Sequence, residues 1–365
     1  MHRNLDRLPG PARGVVSLLL VTLGSCGFDP TPGSLQFSLS KATIEATRDD
    51  LAARASIEHE ITALFGTASD PRFTASDAWP SAAAADHSTS ASIPDLVRSG
   101  RNYARECLAC HGVEGGGDGP SAYGLNPKPR DFRNGIFKYT ALKDQSRPRR
   151  LDILRTLEQG VAGTSMPNFQ RLSSTEREGL AEYVRFLSVR GEVESVLVAT
   201  WKEEGEINAD TAHEAASIVW SRWLKSDSKL VVFDGDVPLS TPERIARGDA
   251  LFHDGLKGNC LSCHGATGAG DGPAAWKIGV DGKREPAYLD AWGEPIRPRD
   301  LRDGVFRGGA RPIDLYRRIY AGIPGGPMPA LGEAQTKDGA PLVTPDEIWC
   351  LVHYVRSLSQ RGEAP

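Results

Sequence analysis

The chain is written twice. CLACHGVEGGGDGP from Cys107 returns as CLSCHGATGAGDGP from Cys260, and three more blocks recur behind it in the same order. PRDFRNGIFK from Pro129 matches PRDLRDGVFR from Pro298, and LDILRTLEQGVAGTSMP from Leu151 matches IDLYRRIYAGIPGGPMP from Ile313. AEYVRFLSVRGE from Ala181 matches VHYVRSLSQRGE from Val352. Four blocks in one order mean a duplicated domain, so whatever one copy folds into, the chain must build twice. The copies span residues 93–190 and 240–365, joined by an acidic linker over 191–239 and preceded by an extension over 26–92.

Helix signals dominate both copies. Ser173-x-x-Glu176 and Thr344-x-x-Glu347 are capping boxes opening the last helix of each copy, and Pro345 sits in a first-turn position. The helices that begin near Leu151 and Ile313 stop at Gly160 and Gly322, residues suited to a left-handed cap. Alternating strand patterns are scarce. The expected fold is all-α: two tandem domains of three to four short helices with Gly/Pro-rich loops, joined by a helical linker. In that linker AHEAASIVWSRWL reads as an amphipathic helix with Ile218, Val219, Trp220, Trp223 and Leu224 along one side. A further helix is expected over residues 42–65, followed by a loose SAAAADHSTSAS stretch. The second copy inserts WKIGVDGKREPAYLDAWGEPI, a surface loop by its Gly, Pro and charge content.

Closely spaced cysteines serve three chemistries. A redox dithiol wants a strand before Cys-x-x-Cys in a βαβ pattern, which this chain lacks. Structural zinc wants four soft ligands together, whereas the two pairs here lie about 150 residues apart in separate copies. Covalent haem c needs two thiols one helical turn apart and a histidine directly after them, and it alone uses Cys107, Cys110 and His111, then Cys260, Cys263 and His264. A six-coordinate iron needs a further ligand in each copy. Of three methionines one is the initiator; Met166 and Met328 stand at matching places, each between a helix-ending glycine and a proline.

On these residues the chain resembles the class I c-type cytochromes in a tandem, dihaem form. The resemblance implies three or four helices wrapped around one haem in each copy, two covalent haems c in all, with metal ligands His111, Met166, His264 and Met328. It further implies that Pro120 and Pro273 supply the carbonyl that accepts the histidine's other ring proton. By the same likeness, aromatics Tyr103 and Phe252 on the first helix pack against Tyr183 and Tyr354 on the last. Cys260 lies farther from Phe252 than Cys107 from Tyr103, so a small insertion is expected there.

Other residues admit two readings. Arg130 and Arg299, in the repeated Pro-Arg-Asp, suit either haem propionates or an Arg–Asp pair within the turn. The basic run Arg147, Arg149 and Arg150 is a solvated loop or a docking surface for an acidic redox partner. The glycine-rich tail lacks the strand and helix of a phosphate loop, and its glycines are expected where a Cβ would meet the haem. His353 matches Glu182 in the other copy and is not expected to be a ligand. His59, His87, His213 and His253 have no repeat partner and are expected at the surface, and Cys350 reads as a small buried apolar residue.

The N-terminus carries Arg3, Arg7 and Arg13 and then the apolar run VVSLLLVTLGSC, too short to remain as a spanning helix. Residues 1–25 read as an export signal, and Leu23-Gly24-Ser25-Cys26 resembles a bacterial lipobox, with Cys26 lipidated. The expected location is the periplasm, held to a membrane through a lipid anchor. A net charge of −4 points to no nucleic acid. Redox protein donors and acceptors are the expected partners, among them subunits of a respiratory complex. The leading function is electron transfer between periplasmic or membrane redox partners, without catalysis. The rival is a peroxidase-like dihaem enzyme in which one sixth ligand is displaced.

Overall fold

The computed structural model describes residues 36–74, 95–233 and 235–360. The signal segment, Cys26 and the whole SAAAADHSTSAS stretch, His87 included, lie outside them. Among the described residues no helix is long and apolar enough to cross a membrane.

The chain folds as helices, with a small strand content in one insertion. The extension forms α1 (Lys41–Ala46) and α2 (Leu51–Phe65). The single helix expected over 42–65 is broken because Asp50 serves as an N-cap, its carboxylate accepting from Ala53 N at 2.8 Å. The first repeat supplies α3 (Leu96–Glu106), the short α4 (Leu108–His111), α5 (Arg150–Gln159) and α6 (Ser174–Glu204). The capping box of α6 forms as expected, Ser173 N donating to Glu176 at 3.0 Å and Glu176 N to Ser173 Oγ at 3.2 Å.

Helix α6 does not stop with the repeat. It runs 31 residues, so the 190/191 boundary read from the repeats falls inside it. α7 (Ala209–Leu224) then folds back against it. In α7 the buried face is Ala212, Ala215, Ala216, Val219, Trp220 and Trp223, whereas Ile218 and Leu224 face solvent, contrary to the stripe expected from the sequence. Ile57, Ile61, Leu64 and Phe65 of α2 share one apolar core with α7 and α6. The extension and the tryptophan-bearing linker thus complete the core of the first domain.

Buried charges lock that assembly. Glu194 accepts from Ser40 N at 2.7 Å and Thr43 Oγ1 at 2.5 Å, while Glu192 accepts from Arg147 and from Trp223 Nε1 at 2.8 Å. Arg149 pairs with Asp152 at 3.2 Å, and Arg150 with Glu178 at 3.0 Å and Glu182 at 3.2 Å. The basic run is therefore neither a solvated loop nor a docking patch: each of its arginines is committed to a carboxylate inside the domain, where an uncompensated charge would be costly.

The second repeat follows with α8 (Pro242–His253), α9 (Leu261–His264), α10 (Pro312–Ala321) and α11 (Pro345–Gln360). The insertion is not a plain loop. It makes two antiparallel ribbons, β1 (Trp276–Ile278) with β2 (Arg284–Pro286) and β3 (Tyr288–Leu289) with β4 (Pro295–Ile296).

In each domain the first helix crosses the last at a glycine. Gly100 of α3 lies against the Tyr183 ring of α6, and Gly248 of α8 lies so close to the Cys350 carbonyl of α11 that a larger residue there would force the helices apart. The expected aromatic pairs seal both crossings: Tyr103 and Tyr183 rings sit 5.1 Å apart, Phe252 and Tyr354 5.2 Å. Cys350 is buried, as expected. The insertion before Cys260 also exists. It bulges out as a turn closed by Asn259 N donating to Asp254 O at 2.7 Å, and Cys260 N still donates to Phe252 O, as Cys107 N does to Tyr103 O.

Candidate functional site

Cys107 to His111 and Cys260 to His264 each wind one helical turn, with His111 N donating to Cys107 O at 2.9 Å and His264 N to Cys260 O at 2.8 Å. This turn sets both thiols and the imidazole on one side. Among the described residues all five cysteines are free thiols. Burial pushes Cys107 and Cys260 up to about 12.

The glycine-rich tail then doubles back. Gly117 N donates to His111 O at 2.9 Å and Gly270 N to His264 O at 2.8 Å. Gly112, Gly115 and Gly117 and their mates Gly265, Gly268 and Gly270 all have φ between 73° and 77°. A Cβ on Gly117 would lie 2.6 Å from the Pro129 carbonyl, and one on Gly270 2.7 Å from that of Pro298. Gly117 and Gly270 therefore pack closely on the chain's own Pro-Arg-Asp loop, and both also line the cavity that holds the thiols and imidazoles.

That loop orients the histidine. His111 Nδ1 lies 2.9 Å from the carbonyl oxygen of Arg130, and His264 Nδ1 lies 3.4 Å from that of Arg299. The acceptors expected by resemblance, Pro120 and Pro273, are exposed and take no part; this corrects the expectation drawn from the sequence. An Nδ1–H bonded to a carbonyl fixes the tautomer that leaves Nε2 free as a ligand. Burial also lowers the pKa of both rings, keeping them neutral.

The methionines come from the loops that follow α5 and α10. Gly160 and Gly322 do take positive φ at the ends of α5 and α10, at 68° and 70°, but with extended ψ. The following loops then turn so that Val161 N donates to Met166 O at 3.0 Å and Ile323 N to Met328 O at 3.2 Å. Met166 and Met328 line the same cavity as the thiols and imidazoles. The two copies do not make separate cavities. One continuous space of about 1570 Å³ is lined by Cys107, Cys110 and His111 together with Cys260, Cys263 and His264.

The donor set suits covalent haem c in both lobes: thiols for thioether bonds, a neutral imidazole with a free Nε2, and a thioether sulfur. His353 lies outside the cavity lining, buried on α11 beside Trp349, as expected of a non-ligand. His253 is exposed, as expected, and its ring nitrogens lie 2.9 Å from Asp249 O and 2.9 Å from Ala266 O.

The repeat arginines have diverged. The aspartates of Pro-Arg-Asp pair with a later arginine, Asp131 with Arg133 at 2.7 Å and Asp300 with Arg302 at 2.6 Å, so the turn pair does not use Arg130 or Arg299. Arg130 instead stacks on Trp292 at 3.6 Å and reaches Asp290 at 3.7 Å. Arg299 lines the cavity with its buried Nε unpartnered, and Arg307 donates to Gly163 O of the Met166 loop at 3.2 Å.

Comparison with known proteins agrees with this geometry. A family model described as cytochrome c matches residues 245–359, and one described as cytochrome C oxidase, cbb3-type, subunit III matches residues 95–184. No curated protein sequence matches. A solved chain of the Kuenenia stuttgartiensis reducing HAO-like protein complex is 30% identical with a TM-score of 0.51, over 70% of this chain and 93% of its own. With a family match on each side of the linker and a Cys-x-x-Cys-His turn inside each, the chain belongs to the cytochrome c family as a protein of two cytochrome c domains, each built for one covalent haem c.

Proposed function

We propose that this dihaem cytochrome c transfers electrons between protein partners, with His111 and Met166, and His264 and Met328, as the residues that would ligate the two irons. One observation carries the reading: in both lobes of one cavity a thioether and an imidazole with its Nδ1 already engaged line the same space. Bound haem would supply a one-electron couple, and a thioether ligand raises its potential. The chain's part is to hold the iron ligands, exclude water and offer a fixed path. Arg299, with an unpartnered buried Nε, is the arginine suited to a propionate, while Arg130 is engaged elsewhere.

The chain is further proposed to be exported, lipidated at Cys26 and held at a membrane surface of the periplasm. The relative's place in a multi-protein complex supports a subunit role over that of a free carrier. Optical spectra of the haem-loaded protein test the core claim. Six-coordinate iron, a methionine–iron band and no carbon monoxide binding in the reduced state are expected; high-spin iron that binds carbon monoxide at once overturns it. Mass spectrometry of the mature N-terminus should find acylated Cys26, and any other start refutes the anchor.

A further inference from the structure

The two domains meet in a crossed pattern. The loop that orients His264 faces the loop that carries Met166: the Arg299 guanidinium and Val305 lie against Gly163, and Arg307 donates to Gly163 O. By repeat symmetry Arg130, whose carbonyl meets His111, should face Gly325, which stands three residues before Met328 as Gly163 stands three before Met166. It does so only through an inserted residue. Trp292 lies between them, under the Arg130 guanidinium at 3.6 Å, and so close to Gly325 that a Cβ there would be 2.8 Å from the ring.

The insertion is anchored at both ends of this contact. Trp292 Nε1 donates to Asp131 O at 3.1 Å, and Ala291 N donates to Gly325 O at 2.9 Å. The Asp290 side chain is almost wholly buried and pairs with Lys138 at 2.7 Å and Arg130 at 3.7 Å, while its other oxygen accepts from Trp292 N at 3.0 Å. The first copy has no such segment between Pro120 and Pro129.

We propose that Trp292 is a positioning residue shared by both haem sites, and that Asp290, paired with Arg130 and Lys138, holds it in place on the side of the first. They hold the His111-orienting loop of one domain against the Met328 loop of the other, so that neither site is set independently. The inference rests on the dihaem reading above. Its mechanism is local: Asp290 balances two cations beside the first site, and the indole fixes the separation of the two loops.

Potentiometric titration of the full, haem-loaded chain tests it, with each wave assigned from the M166A and M328A proteins. D290N keeps the turn but removes a negative charge near the first haem. It should favour the reduced form there, increasing the reduced-to-oxidised ratio at fixed potential up to tenfold, or about 59 mV for a one-electron couple, with the second wave in place. W292A should move both waves and weaken the methionine band of the second domain, and W292F, which keeps a ring, should restore the second wave. If W292A does not fold, D290N and W292F decide alone. Two wild-type-like waves in D290N, or a change confined to the second haem in W292F, overturn the proposal while leaving the dihaem reading intact. A wild-type protein without methionine-ligated spectra overturns both.

Discussion

At His253 two carbonyl oxygens approach the two ring nitrogens, and only the doubly protonated ring can donate to both. The bond to the Asp249 carbonyl, more than any other influence, raises its pKa. A raised folded-state value stabilises fully below the unfolded pKa of about 6.5 and is lost as pH rises through the folded value. Thermal unfolding followed from about pH 5 to about pH 9 should show second-domain stability falling across that range, and H253L should flatten the fall; an unchanged slope refutes the assignment. Sequence could not single out His253, because the carbonyls that hold it carry no residue signature. The same blindness explains Arg130 and Arg299: Cys, His and Met side chains were legible from repeat spacing, but the backbone oxygen meeting each Nδ1 depends on where a loop lands. The likeness to a family pointed to proline, and the fold used the arginine after a different one.

Among the elements, α11 gathers much through its first turn. Glu347 accepts from Thr344 N at 3.0 Å and pairs with Lys257 at 3.0 Å and with Arg247 of α8. Partial burial raises its pKa, but the Thr344 N–H and the two cations outweigh that and hold it at about 2. A depressed folded value stabilises above the unfolded pKa of about 4.3 and is lost as pH falls through about 2. E347Q should therefore make acid unfolding between those values shallower, and T344A should cost about 1 kcal/mol in denaturant titrations; wild-type midpoints in both would show the cap to be idle. Capping boxes were legible because two residues at fixed spacing suffice. The break between α1 and α2 hinged on one carboxylate choosing a backbone N–H, and the ribbons of the insertion on pairing that its Gly/Pro-rich composition conceals.

Across the whole molecule the domains are held by buried ions as well as by the insertion. Arg155 of α5 pairs with Asp314 of α10 and donates to Gly308 O at 3.2 Å, while Asp314 also accepts from Arg311 at 3.0 Å. R155M leaves Asp314 one partner and removes a charged link. It should cost about 1.5–3 kcal/mol and split calorimetric unfolding into two transitions, whereas one unbroken transition would place the domain coupling elsewhere. Duplication and domain count could be read directly from the blocks. The joint could not, because a repeat comparison shows what each copy is and not how the two surfaces meet, and the insertion that carries Trp292 has no counterpart in the first copy.

Helix α6 carries a consequence for how such a chain can work. It starts at the Ser173 capping box and continues, without a hinge, 31 residues to Glu204, about 46 Å at about 1.5 Å per residue. Its far half is clasped by α7 and the extension, and the chain leaving α7 pins the first domain again where Val231 N donates to Ala141 O at 2.8 Å. With α6 and α7 so braced, and with Arg155 paired to Asp314 and Trp292 set against Gly325, the two domains are held against each other and not strung on a free tether. On the proposed electron-transfer reading, a partner would meet the two domains as one body, so its footprint, and not the reach of a tether, would set which half it meets.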